Sequence, residues 1–271
     1  MIASGSADST VKIWDITSPL SPASTFTHHK GKVSSVAFHP SEGTILATGG
    51  FDKLVCVVDG RAPDSGAAKR AKIKSDVEEI CWDPHKQERL VAAGEDGRVS
   101  CWDVRNLSSA LWEFDGGAYG VSSANFNAAV PGMLATASVD KTVAIWDVHD
   151  TRGPRKVIQK EVGVGKLYTV SFYPSSELLL GCGGTGGELG LWELASERAV
   201  VEAFEGRVSA LGRGGTQVDE EEAIAEAPDA DAAAAGENEA SRNAREGAEG
   251  KGKGGKKGKK KKKKKVASRK R

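Results

Sequence analysis

The stretch Asp96–Asp103 reads Asp-Gly-Arg-Val-Ser-Cys-Trp-Asp, a tight Asp-Gly turn followed by an extended run that ends in Trp-Asp. The same eight-residue frame recurs as Asp8–Asp15, Asp52–Asp59, Asp140–Asp147 and, in a degraded form, Gly186–Glu193. The residues before the closing acid are separated by 44, 44, 44 and 46 positions; they are Trp14, Val58, Trp102, Trp146 and Trp192. Five copies in register indicate a repeat protein.

A period in the low to mid forties that ends in Trp-Asp is typical of WD40 repeats, each of which forms one four-stranded blade of a β-propeller. The sequence therefore predicts an all-β fold, a WD40 β-propeller with five recognisable repeats. Apolar runs between turn residues supply the strands. Innermost strands are predicted at 33–38, 77–82, 121–126 and 167–172, and outer strands at 23–26, 70–73, 110–114, 155–158 and 199–204.

The two ends of the repeat region are irregular. No innermost strand precedes Ile2, whereas Arg207–Leu211 has the pattern of an innermost strand with no blade after it. One interpretation is a five-bladed ring in which Arg207–Leu211 completes the first blade. The other is an N-terminally truncated part of a larger ring, and the liability of exposed strand edges favours it. Residues 1–211 are accordingly assigned to a partial or five-bladed propeller.

Charge is strongly segregated along the chain, although the net charge is only +1. Residues 1–218 carry a net charge of −4, residues 219–249 carry −9 and residues 250–271 carry +14. Apolar periodicity stops near Gly212, so residues 212–271 are predicted to form a disordered tail, first acidic and then rich in lysine.

Composition and motifs argue against several classes of protein. The four cysteines lie far apart, without a CxxC pair or a histidine at metal-ligand spacing, and are predicted to be small core residues rather than metal ligands. No apolar run approaches the ~20 residues of a membrane helix, and the first residues do not resemble a signal peptide. We expect a soluble intracellular protein without cofactor, metal, membrane or small-molecule substrate.

His29, Thr48 and Asp52 could suggest a hydrolase triad. The sequence supplies neither a nucleophile motif nor oxyanion donors around them, so we predict no catalytic residues and no enzymatic activity. The same residue types resemble the His–Ser/Thr–Asp–Trp hydrogen-bond network that ties the strands of a WD40 blade together. Val58 replaces the tryptophan in this repeat, so the network should be incomplete.

Propellers bind partners mainly on the face formed by the turns between second and third strands and by the loops that lead into first strands. We call this surface the partner face. Phe51 is the leading candidate, because exposed aromatic side chains tend to anchor interfaces, although packing over a neighbouring turn is an equal alternative. The candidates on this face are Phe51, Lys53, Glu95, Tyr119, Lys141 and Lys166.

Trp102-Asp103-Val104-Arg105 resembles the docking motif of WD40 substrate receptors for cullin–RING ubiquitin ligases, in which the arginine contacts the adaptor. Arg105 is thus a candidate contact for a second function, although an arginine at this position is also an ordinary edge charge. A third hypothesis is a chromatin adaptor that binds histone tails through the propeller.

The lysine tract has two compatible functional interpretations: a nuclear or nucleolar localisation signal, and non-specific electrostatic contact with RNA. No aromatic residue lies between the lysines, so base stacking is not expected. The predicted signal comprises Lys256, Lys257, Lys259, Lys260, Lys261, Lys262, Lys263, Lys264, Lys265, Arg269, Lys270 and Arg271.

Several strings resemble the periodic tryptophan protein 1 family, eukaryotic WD40 proteins associated with the nucleolus and with ribosome biogenesis. The most specific are Ser75–Pro84, with Asp-Val-Glu-Glu and Trp-Asp-Pro, and Val130–Lys141, with Val-Pro-Gly and Ala-Ser-Val-Asp-Lys. The similarity spans about residues 1–208, and family members carry further sequence before this point. The resemblance implies a non-enzymatic nucleolar scaffold for large-subunit assembly and pre-rRNA processing. Its partners would be ribosome assembly factors and pre-ribosomal particles.

Overall fold

The computed structural model describes residues 1–17, 21–61, 68–149 and 153–208. The strands in these ranges form five antiparallel sheets. The first sheet contains β1 (Ile2–Gly5), β2 (Val11–Trp14) and β3 (Ser24–Phe26). The second contains β4 (Val33–Phe38), β5 (Ile45–Gly50), β6 (Leu54–Asp59) and β7 (Lys69–Lys72). The third contains β8 (Val77–Trp82), β9 (Arg89–Gly94), β10 (Arg98–Asp103) and β11 (Trp112–Asp115). The fourth contains β12 (Val121–Phe126), β13 (Met133–Ser138), β14 (Thr142–Asp147) and β15 (Arg155–Glu161). The fifth contains β16 (Leu167–Phe172), β17 (Leu179–Gly184) and β18 (Leu189–Glu193).

Each sheet is one blade of a WD40 propeller, as the repeat pattern predicts. Strands that follow one another in the chain are neighbours in the sheet, and the predicted innermost strands are β4, β8, β12 and β16 at the predicted residues. The innermost strands pack side by side, β4 on β8, β8 on β12 and β12 on β16, and β1, a second strand, packs on β4. Close approach explains the small residues of the second strands: a Cβ added to Gly49 would lie 2.5 Å from Val77 of the next blade.

The core lies mainly between blades. Apolar residues of each third strand meet the innermost strand of the following blade, as Val143 and Ile145 of β14 do with Leu167, Val170 and Phe172 of β16. The corresponding clusters join the other neighbouring blades: Val11 and Ile13 with Val33, Val55 and Val57 with Val77 and Ile80, and Val99 and Cys101 with Val121 and Ala124. The repeat thus specifies the interface between blades as well as the blade.

Two leucines interrupt this pattern at the fifth blade. Leu189 and Leu191 on β18 correspond to Val143 and Ile145 on β14, counted back from the tryptophan of each frame. Val143 and Ile145 are fully buried, whereas Leu189 and Leu191 are 71 % and 66 % exposed. Within the described residues, no comparable packing of one blade on the next joins β16 to β1. The outer face of the fifth blade is therefore an apolar face open to solvent.

A helix replaces the predicted outer strand at residues 199–204, so that prediction is wrong. After a 3₁₀ turn (Leu194–Ser196), α1 (Arg198–Val208) buries Val200 and Phe204 against the core of the last two blades. A four-residue spacing of large apolar side chains suits one face of a helix. The guanidinium of Arg207 forms a bidentate pair with Asp147, at 2.9 and 2.6 Å, and lies over the Phe204 ring.

The helix also corrects the predicted innermost strand at Arg207–Leu211. Arg207 and Val208 are the last residues of α1, and residues 209–211 lie outside the described ranges. Completion of the first blade by a strand beginning at Arg207 is therefore excluded. The predicted tail, 212–271, also lies outside the described residues. Among the described residues, no helix is long and apolar enough to cross a membrane.

Candidate partner face

The turns that follow second strands lie beside the loops that lead into first strands, which assembles the partner face. In the second blade, the Phe51 amide donates to the Lys32 carbonyl at 2.8 Å, and in the third, the Glu95 amide donates to the Asp76 carbonyl at 3.0 Å. Equivalent bonds join Val139 to Gly120 and Thr185 to Lys166. Because the blades pack side by side in the same orientation, these turn–loop pairs share one edge of the propeller.

The predicted face residues occupy these turns and loops. Phe51 and Lys53 lie in the β5–β6 turn, Glu95 in the β9–β10 turn and Lys141 in the β13–β14 turn, whereas Tyr119 and Lys166 lie in the loops before β12 and β16. All except Phe51 are exposed, and Tyr119 is the most exposed aromatic side chain of the described residues, at 75 %. Their geometry is thus compatible with binding to another molecule.

Phe51 has a more protected setting than the sequence suggested. Its ring is half-buried, and the Lys32 ammonium lies 4.5 Å from the ring centroid. A cation over an aromatic face stabilises this arrangement modestly. Phe51 and Lys32 consequently present a joint aromatic and cationic surface, and the role of Phe51 as an interface anchor stays a prediction.

The two turn lysines are held in an unusual backbone conformation. Lys53 and Lys141 have φ values of 65° and 76°, in the left-handed region, where glycine is normally favoured. The corresponding positions of the third and fifth blades are Gly97 and Gly187, with φ values of 84° and 74°. Ser9 of the first blade has a φ of 68°, so this conformation belongs to the turn of the repeat.

The His29–Thr48–Asp52 network is confirmed as a structural network. His29 Nδ1 lies 3.0 Å from Asp52 Oδ1, and His29 Nε2 lies 2.8 Å from Thr48 Oγ1. Asp52 also accepts from the Lys30 amide, and these interactions hold the pKa of its carboxyl below the usual range despite partial burial. The network joins the loop before β4 to β5 and to the β5–β6 turn.

His28 is the residue that sequence reasoning missed. Its Nε2 lies 2.8 Å from Thr48 Oγ1, where the first and fourth blades place an indole. Trp14 donates to Ser4 and Trp146 donates to Thr136, each at 2.9 Å. Val58 carries no N–H in its side chain, and the His28 ring bonds the Thr48 hydroxyl in its place from the adjacent loop. The only signal in the sequence was the coincidence of a second histidine with the missing tryptophan.

Arg105 lies away from the partner face, beyond the other end of β10. Its side chain is exposed and folds back onto Asp103, with Arg105 Nε 2.9 Å from Asp103 Oδ1. These bonds lower the pKa of the Asp103 carboxyl to about 2. Arg61 pairs with Asp59 in the same way. The predicted localisation residues, 256–271, lie outside the described ranges.

Comparison with known sequences and structures agrees with this architecture. The WD40 family (WD domain, G-beta repeat) matches residues 1–15, 20–59 and 70–103. A solved structure, the crystal structure of the Mitotic Checkpoint Complex, contains a chain that superposes with a TM-score of 0.63 at 20 % identity. The alignment covers 70 % of this chain and 58 % of that chain, and at this identity it shows the fold alone.

Two curated relatives are similar over most of the described region. Periodic tryptophan protein 1 of Saccharomyces cerevisiae is 33 % identical over 216 residues, 75 % of this chain and 38 % of the relative. The periodic tryptophan protein 1 homolog of Drosophila melanogaster is 27 % identical over 68 % of this chain and 40 % of the relative. The chain thus spans about two fifths of the length of these relatives. Together, the repeats, the five blades and these similarities show a WD40 β-propeller fold in a chain that is similar in sequence to periodic tryptophan protein 1.

Proposed function

We propose that the chain is a non-enzymatic scaffold in nucleolar ribosome biogenesis that binds assembly factors through its partner face. The observation that carries the proposal is its similarity to periodic tryptophan protein 1, which extends over 216 residues. The family resemblance implies work on pre-ribosomal particles during large-subunit assembly and pre-rRNA processing. The partner face would hold protein components, and the lysine tract would direct the protein to the nucleolus and add non-specific RNA contact.

The chemistry of the partner face supports a protein-binding role. It combines an aromatic side chain that is largely exposed, Tyr119, with lysines on neighbouring blades. Lys53 and Lys141 keep a backbone conformation that glycine would adopt with less strain. A lysine side chain that extends from such a turn would pair with acidic side chains of a partner.

Sedimentation of the tagged full chain through a sucrose gradient, with and without ribonuclease, tests the proposal. We expect migration with large-subunit precursors that collapses after ribonuclease treatment. Migration confined to light fractions, and unchanged by ribonuclease, would contradict the ribosomal role. Association with a cullin adaptor that Arg105→Ala abolishes would point instead to the ubiquitin-ligase hypothesis.

Two glycine substitutions test the partner face without straining the fold. Lys53→Gly combined with Lys141→Gly removes both side chains at positions where glycine is the easier residue, so folding should be preserved. We expect this variant to remain folded by circular dichroism but to shift toward light fractions. Arg105→Ala, at the opposite edge, is the control and should sediment like the unmodified protein.

A further inference from the structure

Three side chains with metal-binding atoms converge beneath the partner face in the second blade. One ring nitrogen of His28, one of His29 and the Cys56 sulfur all lie within 4.8 Å of one another. In the part of the chain that the structure describes, this is the one such group that includes histidine and cysteine. Spacing in the sequence did not predict it, because the histidines precede β4 whereas Cys56 lies in β6.

The fold explains why the three side chains meet. Cys56 is the direct partner of Thr48 in the β5–β6 register, and the Nε2 atoms of both histidines lie 2.8 Å from the Thr48 hydroxyl. Thr48 therefore brings both rings to the position opposite the thiol. The replacement of tryptophan by Val58 removes the indole that bonds the corresponding hydroxyl elsewhere, and His28 takes that place.

We propose that His28, His29 and Cys56 bind a zinc ion. Two imidazole nitrogens and one thiolate are a ligand set that Zn²⁺ prefers, and a water molecule or the Thr48 hydroxyl would complete a tetrahedral site. Zinc would take over the two contacts that the ring nitrogens make with Thr48. It would fasten the loop before β4 to β6, a structural role within the blade.

The groups around the cluster are arranged as they are in protein zinc sites. Asp52 holds Nδ1 of His29, which leaves Nε2 as the ligand atom. Such a carboxylate–histidine pair fixes the tautomer and orients the ring. Burial, together with His29 and Arg70, lowers the pKa of His28 to about 4, so the His28 ring is neutral near pH 7.

Access and charge set the conditions for binding. His29 and Cys56 are buried, whereas His28 is half-buried and provides the route from solvent. Burial raises the pKa of the Cys56 thiol to about 12, and the nearby Arg70 partly offsets the effect, so zinc would have to displace the thiol proton.

Arg70 is paired with Cys56 across β6 and β7, and its charge opposes a bound cation. Arg70→Gln should therefore bind zinc more tightly.

Cobalt substitution gives a direct test with the full chain. The protein, stripped with a chelator and kept reduced, is titrated with Co²⁺ and then with Zn²⁺. We expect one cobalt ion per chain, a thiolate-to-cobalt charge-transfer band in the near ultraviolet, and loss of the band as zinc displaces cobalt. Failure of the unmodified protein to show this band would overturn the proposal.

Matched variants assign the ligands. Cys56→Ser should abolish the band, whereas Cys101→Ser, at another buried cysteine, should retain it. His28→Gln can keep a hydrogen bond to Thr48 but cannot replace the imidazole, and it should also abolish the band. Asp52→Asn should weaken zinc binding by about 10–100-fold. Circular dichroism establishes that each variant is folded, and a band that persists in a folded Cys56→Ser variant contradicts the site.

Discussion

Single positions in the repeat determine which hydrogen bonds join the strands within each blade. The same hydroxyl accepts from tryptophan in the first and fourth blades, at Ser4 and Thr136, but bonds two histidines in the second, at Thr48. In the third blade, Ala92 offers no hydroxyl to Trp102. A repeat fold thus tolerates different residues at one position when a neighbouring loop supplies a substitute hydrogen-bond partner.

Thr136→Val tests how much the hydrogen bond from Trp146 to Thr136 contributes to stability in the fourth blade. Thr136 is buried, and the substitution keeps its shape but leaves the Trp146 N–H without its acceptor, so we expect a loss of about 1–2 kcal/mol in the free energy of unfolding. Urea denaturation measures the loss. In a double-mutant cycle with Trp146→Phe, the two losses should be non-additive by about 1 kcal/mol. Strict additivity would show that the bond contributes nothing to stability.

The carboxyl of Glu79 should make the stability of the protein depend on pH. This carboxyl lies between Ser35 and Ser123 of the neighbouring blades, and burial raises its pKa above the ordinary value of 4.5. The folded state therefore favours the protonated carboxyl. Its contribution to stability is fully present below pH 4.5 and is lost as the pH rises through the folded-state pKa.

Glu79→Gln should remove this dependence. Relative to the unmodified protein, we expect the variant to gain stability as the pH rises from 4.5 to 7 in urea denaturation. Glu161→Gln, at an exposed carboxylate on β15, is the control and should keep the unmodified profile. If the difference in the free energy of unfolding between Glu79→Gln and the unmodified protein did not change with pH, the prediction would be wrong.

At the scale of elements, α1 is the feature that the repeat pattern does not explain. It buries Phe204 completely and Val200 beside it, and Arg207 ties its last turn to Asp147 of β14. In the second and third blades, the acid at this position pairs with an arginine two residues later, Arg61 or Arg105. In the fourth blade, Arg207 of α1 is the arginine that pairs with the acid, Asp147.

Phe204→Ala should therefore destabilise the protein strongly. Removal of a fully buried phenylalanine costs about 3–5 kcal/mol in the free energy of unfolding, as measured by urea denaturation. Val201→Ala on the same helix is the control, because Val201 is 41 % exposed, and its cost should be below about 1 kcal/mol. A small effect at Phe204 would show that α1 can detach without loss of the blades.

The contrast between the strands and α1 shows what the sequence could predict. The innermost strands were predicted at their observed residues, because turn residues bound each apolar run and the period fixed the register. Residues 199–204 and 207–211 have the sequence pattern of strands, since Val200, Val201 and Phe204 also favour extended structure. The burial of Val200 and Phe204 in a helix depends on a surface provided by the last two blades, which the local sequence does not contain. Similarly, the gathering of Lys53 and Lys141 on one face followed from the repeat, whereas the positions of His28 and Cys56 required the fold.

At the scale of the whole molecule, stability should depend on contact between blades more than on any one sheet. Each interface repeats one arrangement, with third-strand apolar residues against the next innermost strand. Burial of such side chains is the main favourable contribution, and cavities left by truncation are costly. Truncations at equivalent positions of different blades should therefore reduce the free energy of unfolding by different amounts. The loss should be large where a neighbouring blade covers the side chain and small where the side chain is exposed.

Ile145 and Leu191 make this comparison at one repeat position. Ile145 is fully buried between the fourth and fifth blades, so Ile145→Ala should cost about 2–5 kcal/mol in urea denaturation. Leu191 is 66 % exposed on the outer face of the fifth blade, and Leu191→Ala should cost less than about 1 kcal/mol. If Leu191→Ala were as costly as Ile145→Ala, the outer face would be covered in solution. Repeating the measurement over a range of protein concentrations would then distinguish a second copy, whose contribution grows with concentration, from another part of the same chain, whose contribution does not.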